Sequence, residues 1–147
     1  MAKGDRLYNQ ALKEALKELP NDEKAKALLE KAQEMGNSNA AYALGTWYLH
    51  GKFVRKNYKK AIQLLEKAAN GDVASAAFDL AICYEKGTGI RSDKKQAFKY
   101  YLRAALLGDK QAIYEVGRCY YYGIGIARDR EIAKIWMDYS PEDEEYI

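Results

Sequence analysis

Apolar and polar positions along this chain recur with a period of 36 residues. Leu44-Gly45, Tyr48 and Gly51 return as Leu80-Ala81, Tyr84 and Gly87, and again as Val116-Gly117, Tyr120 and Gly123. Within one copy, Ala76, Leu80, Ala81 and Tyr84 share a face at helical spacing, and Ser75, Asp79, Ile82 and Lys86 lie on the opposite side. Repeats of this length are helix hairpins that bury their apolar faces by stacking on neighbours.

Each copy reads as two helices. The first is expected over 38–50, 73–86 and 110–122, stopped by Gly51, Gly87 or Gly123, where a left-handed residue ends a helix at least cost. The loops that follow end in Asn57, Asp93 and Asp129, which can accept hydrogen bonds from the free amides of the next helix. Asp93 and Gln96 also have the spacing of a reciprocal capping box. Val54, Ile90 and Ile126 are expected to pin these loops to the helix pair. In the second helix, small residues (Ala61, Ala97, Ala133) precede bulky pairs (Leu64-Leu65, Tyr100-Tyr101, Trp136-Met137), with Ala68-Ala69 and Ala104-Ala105 after the first two. Small residues permit close approach and bulky ones fill the layer between helices.

Shifting the register back by one period places a second helix at 21–35 and a degenerate first helix at 5–19. The expectation is all-α: four repeats at 5–36, 37–72, 73–108 and 109–140, eight helices, and an acidic tail at 141–147 after Ser140-Pro141. A diverged first helix and a shortened last one suit solvent-facing caps.

At 147 residues with 31% charged positions, the chain is long enough for one domain with a continuous core, and wholesale disorder is not expected. No stretch approaches the ~20 apolar residues of a membrane span. The N-terminus lacks the apolar run of a secretory leader, from which a cytoplasmic location is expected. Positions 138–147 hold five acids and no base, so removing them from the net +3 leaves +8 on the remainder. Basic residues gather at Lys52, Arg55, Lys56, Lys59 and Lys60 and at Arg91, Lys94, Lys95, Lys99 and Arg103. Interleaved with helix-forming positions, they read as a solvated outer face in preference to a nucleic-acid footprint.

Cys83 and Cys119 stand one period apart. Stacked helices lie ~8–10 Å apart, beyond the ~7 Å Cα separation a disulfide tolerates. Both are read as small buried residues. With two cysteines and one histidine, no zinc site is expected, and no cofactor.

The pattern Ala-x-x-x-Leu-Gly-x-x-Tyr-x-x-Gly-x-Gly-Ile/Val, then Asp-x-x-x-Ala-x-x-Trp/Tyr-Tyr-x-x-Ala-Ala, resembles the Sel1-like repeat, a relative of the tetratricopeptide repeat. It runs over Ala76–Ala105 and Ala112–Trp136, with a looser copy at Ala40–Ala69, and the resemblance covers about residues 20–139. One departure stands out: Phe53 takes the place of Gly89 and Gly125, so its loop is expected either to differ in shape or to expose a contact. The resemblance implies a right-handed α-solenoid that serves as a protein-interaction scaffold, often bacterial. Some members are adaptors in larger assemblies and some are immunity proteins that neutralise a toxin.

In related solenoids the first helices line a concave groove. Here that places Ser75, Asp79, Ile82 and Lys86 in line with Asn39, Ala43, Thr46 and His50 and with Gln111, Glu115, Arg118 and Tyr122. Tyr42, Phe78 and Tyr114, like Tyr48, Tyr84 and Tyr120, recur with the repeat and are assigned to packing. Tyr121 and Tyr122 do not recur, and with Arg118 they form the best candidate anchor. The partner-binding set is therefore His50, Asp79, Ile82, Lys86, Glu115, Arg118, Tyr121 and Tyr122. His50 has no nucleophile beside it in sequence, and Gly87-Thr-Gly89 and Gly123-Ile-Gly125 lack the lysine of a phosphate loop, so no catalytic residue is assigned. A cell-wall hydrolase, an activity associated with cysteine-rich relatives, ranks far lower because their paired cysteines are missing. The tail 141–147 reads as a solubilising terminus, the sharper alternative being that it docks in a basic groove of its own or a neighbouring molecule.

Overall fold

A computed structural model describes residues 3–15 and 22–140. Among them are eight helices and no strand: α1 (Asp5–Ala15), α2 (Asp22–Glu34), α3 (Ser38–His50), α4 (Tyr58–Asn70), α5 (Ala74–Lys86), α6 (Lys94–Leu106), α7 (Lys110–Tyr122) and α8 (Arg130–Asp138). The tail 141–147 and residues 16–21 of the expected first hairpin lie outside the described residues. The chain divides into two compact units, Met1–Val73 with α1–α4 and Ala74–Ile147 with α5–α8.

Helix starts follow the caps read from the sequence at Asn57, Asp93 and Asp129, and the structure adds caps at Asn37 and Asp109. Asn57 and Asp129 accept from the amides of Lys60 (3.1 Å) and Ile132 (3.0 Å), and Asn37 and Asp109 do the same for Ala40 and Ala112, both at 2.9 Å. Asp93 accepts from the amides of Lys95 and Gln96, but the returning half of the expected capping box is not formed. The Asp93 N–H instead donates to the Tyr84 carbonyl at 2.9 Å, as Asn57 does to Tyr48 and Asp129 to Tyr120. This recurring tie folds each loop back onto the helix before it and consumes the donor the box would need.

In the first unit, Leu29, Leu44, Leu65 and the alanines of α3 and α4 form the core between the helix layers. Buried Asn37 links α1 to the second hairpin by donating to Asp5 (2.8 Å) and to the Lys3 carbonyl (3.2 Å), and Glu14 is buried on α1 with Lys24 at 3.6 Å. In the second unit, Leu80, Val116, Cys119, Phe98 and Tyr101 fill the equivalent space. A Cβ on Gly117 would lie 2.8 Å from Met137 Cγ, so the glycine sets how closely α8 approaches α7.

The repeating aromatics pack as expected. Tyr48 is buried, Tyr84 stacks on Tyr100 at 5.6 Å, and Tyr120 meets Phe98 edge-on at 5.4 Å. Val54, Ile90 and Ile126 are half-buried against their hairpins. Phe53 does not reshape its loop. It adopts the left-handed φ of +65° that Gly89 and Gly125 adopt at +71° and +70°, and its side chain is exposed, 47% accessible.

Candidate partner-binding face

The residues predicted from the sequence fall in both units. His50 closes α3 in the first unit and is exposed, whereas the other seven lie in the second unit. There, Ile82 and Lys86 on α5 and Glu115 and Arg118 on α7 surround a shallow cavity of about 200 Å³. Asp79 is half-buried on α5. Tyr122, at the end of α7, is 67% exposed. Tyr121 is half-buried instead: the Arg130 guanidinium sits 4.5 Å from its ring centroid and Tyr122 meets it edge-on at 4.8 Å. It supports Tyr122 from beneath.

The floor of the cavity is a charged network. Arg118 donates through Nε to Glu115 and through Nη2 to Glu85, each at 2.5 Å, and the Tyr101 hydroxyl donates to the same Glu85 carboxylate at 3.0 Å. Arg118 therefore bridges α7 to α5, and Tyr101 adds α6. Arg118, read from the sequence as part of an anchor with Tyr121 and Tyr122, is held between two carboxylates. Charge lining the cavity is balanced, with Glu85 and Glu115 against Lys86 and Arg118.

Burial alone would raise the Glu85 carboxyl, but the hydrogen bonds from Arg118 and Tyr101 and the Arg118 charge hold it below the usual carboxylate range. Burial followed by the Glu85 charge pushes the Tyr101 phenol up, so it stays a donor. Two carboxylate hydrogen bonds outweigh desolvation and raise Arg118, fixing its charge. Both cysteines are buried and free, with burial pushing the Cys83 thiol up to about 11 and Cys119 up to about 12. Such thiols are protonated near neutrality and poor nucleophiles. Among the described residues, no group of three His, Cys, Asp or Glu could hold a metal ion, and no helix is long and apolar enough to cross a membrane.

Glu85 and Tyr101 went unnoticed in the sequence because each was compared only with its own counterparts. Glu85 aligns with Leu49 and Tyr121, and Tyr101 with core positions Leu65 and Met137. The available signal was a spacing of 33 between Glu85 and Arg118, one period less one helical turn, which sets opposite charges facing on neighbouring first helices.

The Sel1 repeat family model matches residues 16–37, 38–73, 74–109 and 110–139, which is most of the chain. The chain belongs to the Sel1 repeat family. A Sel1 repeat protein from Oxalobacter formigenes superposes with a TM-score of 0.89 at 27% identity, covering 97% of this chain and 59% of that one. A protective antigen of uropathogenic Escherichia coli with the same repeat fold also gives 0.89, at 26% identity over 97% of this chain and 31% of that one. An immunity protein from Pseudomonas aeruginosa gives 0.64 at 24% identity over 97% of this chain and 54% of that one, a likeness of fold alone. This chain spans less than two thirds of the length of each of the three. No curated protein sequence matches it. The Sel1 repeats account for the period, the all-helical hairpins and the paired glycines of the loops, and they suggest a protein-interaction scaffold.

Proposed function

We propose that this Sel1 repeat chain is a non-catalytic scaffold that binds a protein partner on the α5–α7 face, within a larger assembly. The observation that carries this reading is exposed Tyr122 and half-buried Ile82 at positions where a purely solvated face would be polar, beside side chains already locked in place by the Arg118 network. A pre-ordered face loses little conformational freedom on binding, and Tyr is enriched among residues that dominate binding energy. Ile82 and Tyr122 are the anchors, Lys86 the exposed charge that selects against the wrong partner, and Arg118 with Glu115 the support.

Capture of a toxin by an immunity protein is the second reading, favoured by the fold shared with the Pseudomonas aeruginosa immunity protein. A photo-crosslinking residue placed at Lys86 in the native host tests both. One stoichiometric protein should be captured, and Tyr122→Ala with Ile82→Asp should abolish capture without unfolding the chain. Growth rescue on co-expression with the captured protein would identify it as a toxin. Equal capture from Lys99 on the outer side of α6, or capture indifferent to Tyr122 and Ile82, refutes recognition by this face.

A further inference from the structure

The loop that joins α3 to α4 breaks the repeat more sharply than any position on the α5–α7 face. Residues 52–60 carry five cations and no acid, against net charges of +2 and 0 in the equivalent stretches 88–96 and 124–132. Two exposed aromatics stand among these cations: Phe53, where the sister loops have Gly89 and Gly125, and Tyr58, where they have Lys94 and Arg130. Lys52, Arg55, Lys56, Lys59 and Lys60 are all exposed, and none pairs with a carboxylate among the described residues. Lys52 lies 5.2 Å from the Phe53 ring centroid, Lys56 5.5 Å from that of Tyr58, and Phe53 leans on Trp47 at 4.8 Å. The segment thus carries two cation–aromatic pairs, with Lys60 over the Tyr48 ring at 4.6 Å as a third.

Phe53 holds a left-handed backbone at φ +65°, which disfavours any residue with a Cβ. A glycine would satisfy the loop at no such cost. What the phenylalanine adds is an apolar ring held outward at the edge of a cationic cluster.

We infer that this loop is a docking surface for an anionic lipid bilayer. Two features select a bilayer over a chain-like polyanion. Four of the five cations are lysines, point charges on flexible stems that suit a diffuse field of headgroups, whereas paired recognition of single phosphates or carboxylates favours arginine. Trp47, Phe53 and Tyr58 are the aromatic types that settle at the headgroup level, with cations around them to neutralise it. This mode needs no spanning helix and is independent of the α5–α7 face.

Cosedimentation of the full chain with phosphatidylcholine vesicles, with and without phosphatidylserine, tests it. Binding should require phosphatidylserine and fall as salt rises. Lys52→Ser with Lys56→Ser should lower the partition coefficient on the order of 25-fold, at about fivefold per cation. Phe53→Gly should weaken binding while leaving its salt dependence and the circular dichroism spectrum unchanged, because glycine already occupies this conformation in the sister loops. Arg91→Ser with Lys95→Ser, in the α5–α6 loop, should change nothing. Equal binding to vesicles without phosphatidylserine, equal losses from the α5–α6 pair, or tighter binding to single-stranded oligo-dT than to anionic vesicles at the same salt overturns the proposal.

Discussion

Replacing Arg118 by methionine keeps its aliphatic stem and removes both charge-assisted hydrogen bonds, leaving Glu85 and Glu115 to face each other without their shared cation. The three side chains retain only 25%, 18% and 24% accessibility, so the pairs sit between surface ion pairs and buried ones. Surface pairs contribute about 0–1 kcal/mol and breaking a buried pair costs about 3–5 kcal/mol, so Arg118→Met should cost about 2 kcal/mol. For a chain of this size that is a fall in Tm of roughly 5–8 °C. Urea titration followed by circular dichroism is the assay, since guanidinium salts would screen the interaction being measured. A double-mutant cycle with Glu85→Gln should return a coupling of about 1 kcal/mol or more at neutral pH. Glu85 is held below its ordinary range in the folded chain, so its ionised form is the stabilising one. Its contribution is complete above the unfolded carboxylate pKa and disappears as pH falls through the lowered folded value, and the coupling should shrink in that acid window and nowhere above it. A cost below about 0.5 kcal/mol, or a coupling unchanged in acid, would refute a clasp holding α5 to α7.

Other consequences are smaller in scope. Gly117→Ala should destabilise by about 1–3 kcal/mol, because the new methyl collides with Met137 Cγ and nears the Ala133 carbonyl at 3.3 Å; an unchanged urea midpoint would mean α8 can retreat freely. Cys83 and Cys119 should resist iodoacetamide at pH 8 in the folded chain and react promptly in urea, as buried thiols raised to about 11 and about 12 must. Rapid labelling of the native chain would show that the core opens. Tyr122→Ala should leave stability within about 0.5 kcal/mol of the parent while removing partner capture, since the ring is 67% exposed; a larger loss of stability would assign Tyr122 to packing against Tyr121.

The period made most of the fold legible because a repeating residue reports what it packs against, and that neighbour repeats with it. Leu44, Leu80 and Val116, or the glycine caps of α3, α5 and α7, could be assigned by subtraction alone. Subtraction is blind to a contact made once. Arg118 reads only as a companion of the non-recurring Tyr121 and Tyr122, yet its partner Glu85 sits in the preceding repeat at a spacing that is not a multiple of the period. The same blindness explains the capping box: Asp93 and Gln96 have the right separation, but the Asp93 amide is claimed by a tertiary acceptor, Tyr84, that local spacing does not reveal. Phe53 shows the converse. Its loop keeps the glycine conformation of its counterparts around a phenylalanine, where the strain of roughly 1–2 kcal/mol is tolerated because the hairpin on either side is already determined. A non-repeating residue in this architecture can therefore act as an internal strut, as Arg118 does, or as an outward group on an unchanged scaffold, as Phe53 does. Exposure and partners distinguish the two, and sequence variation alone does not.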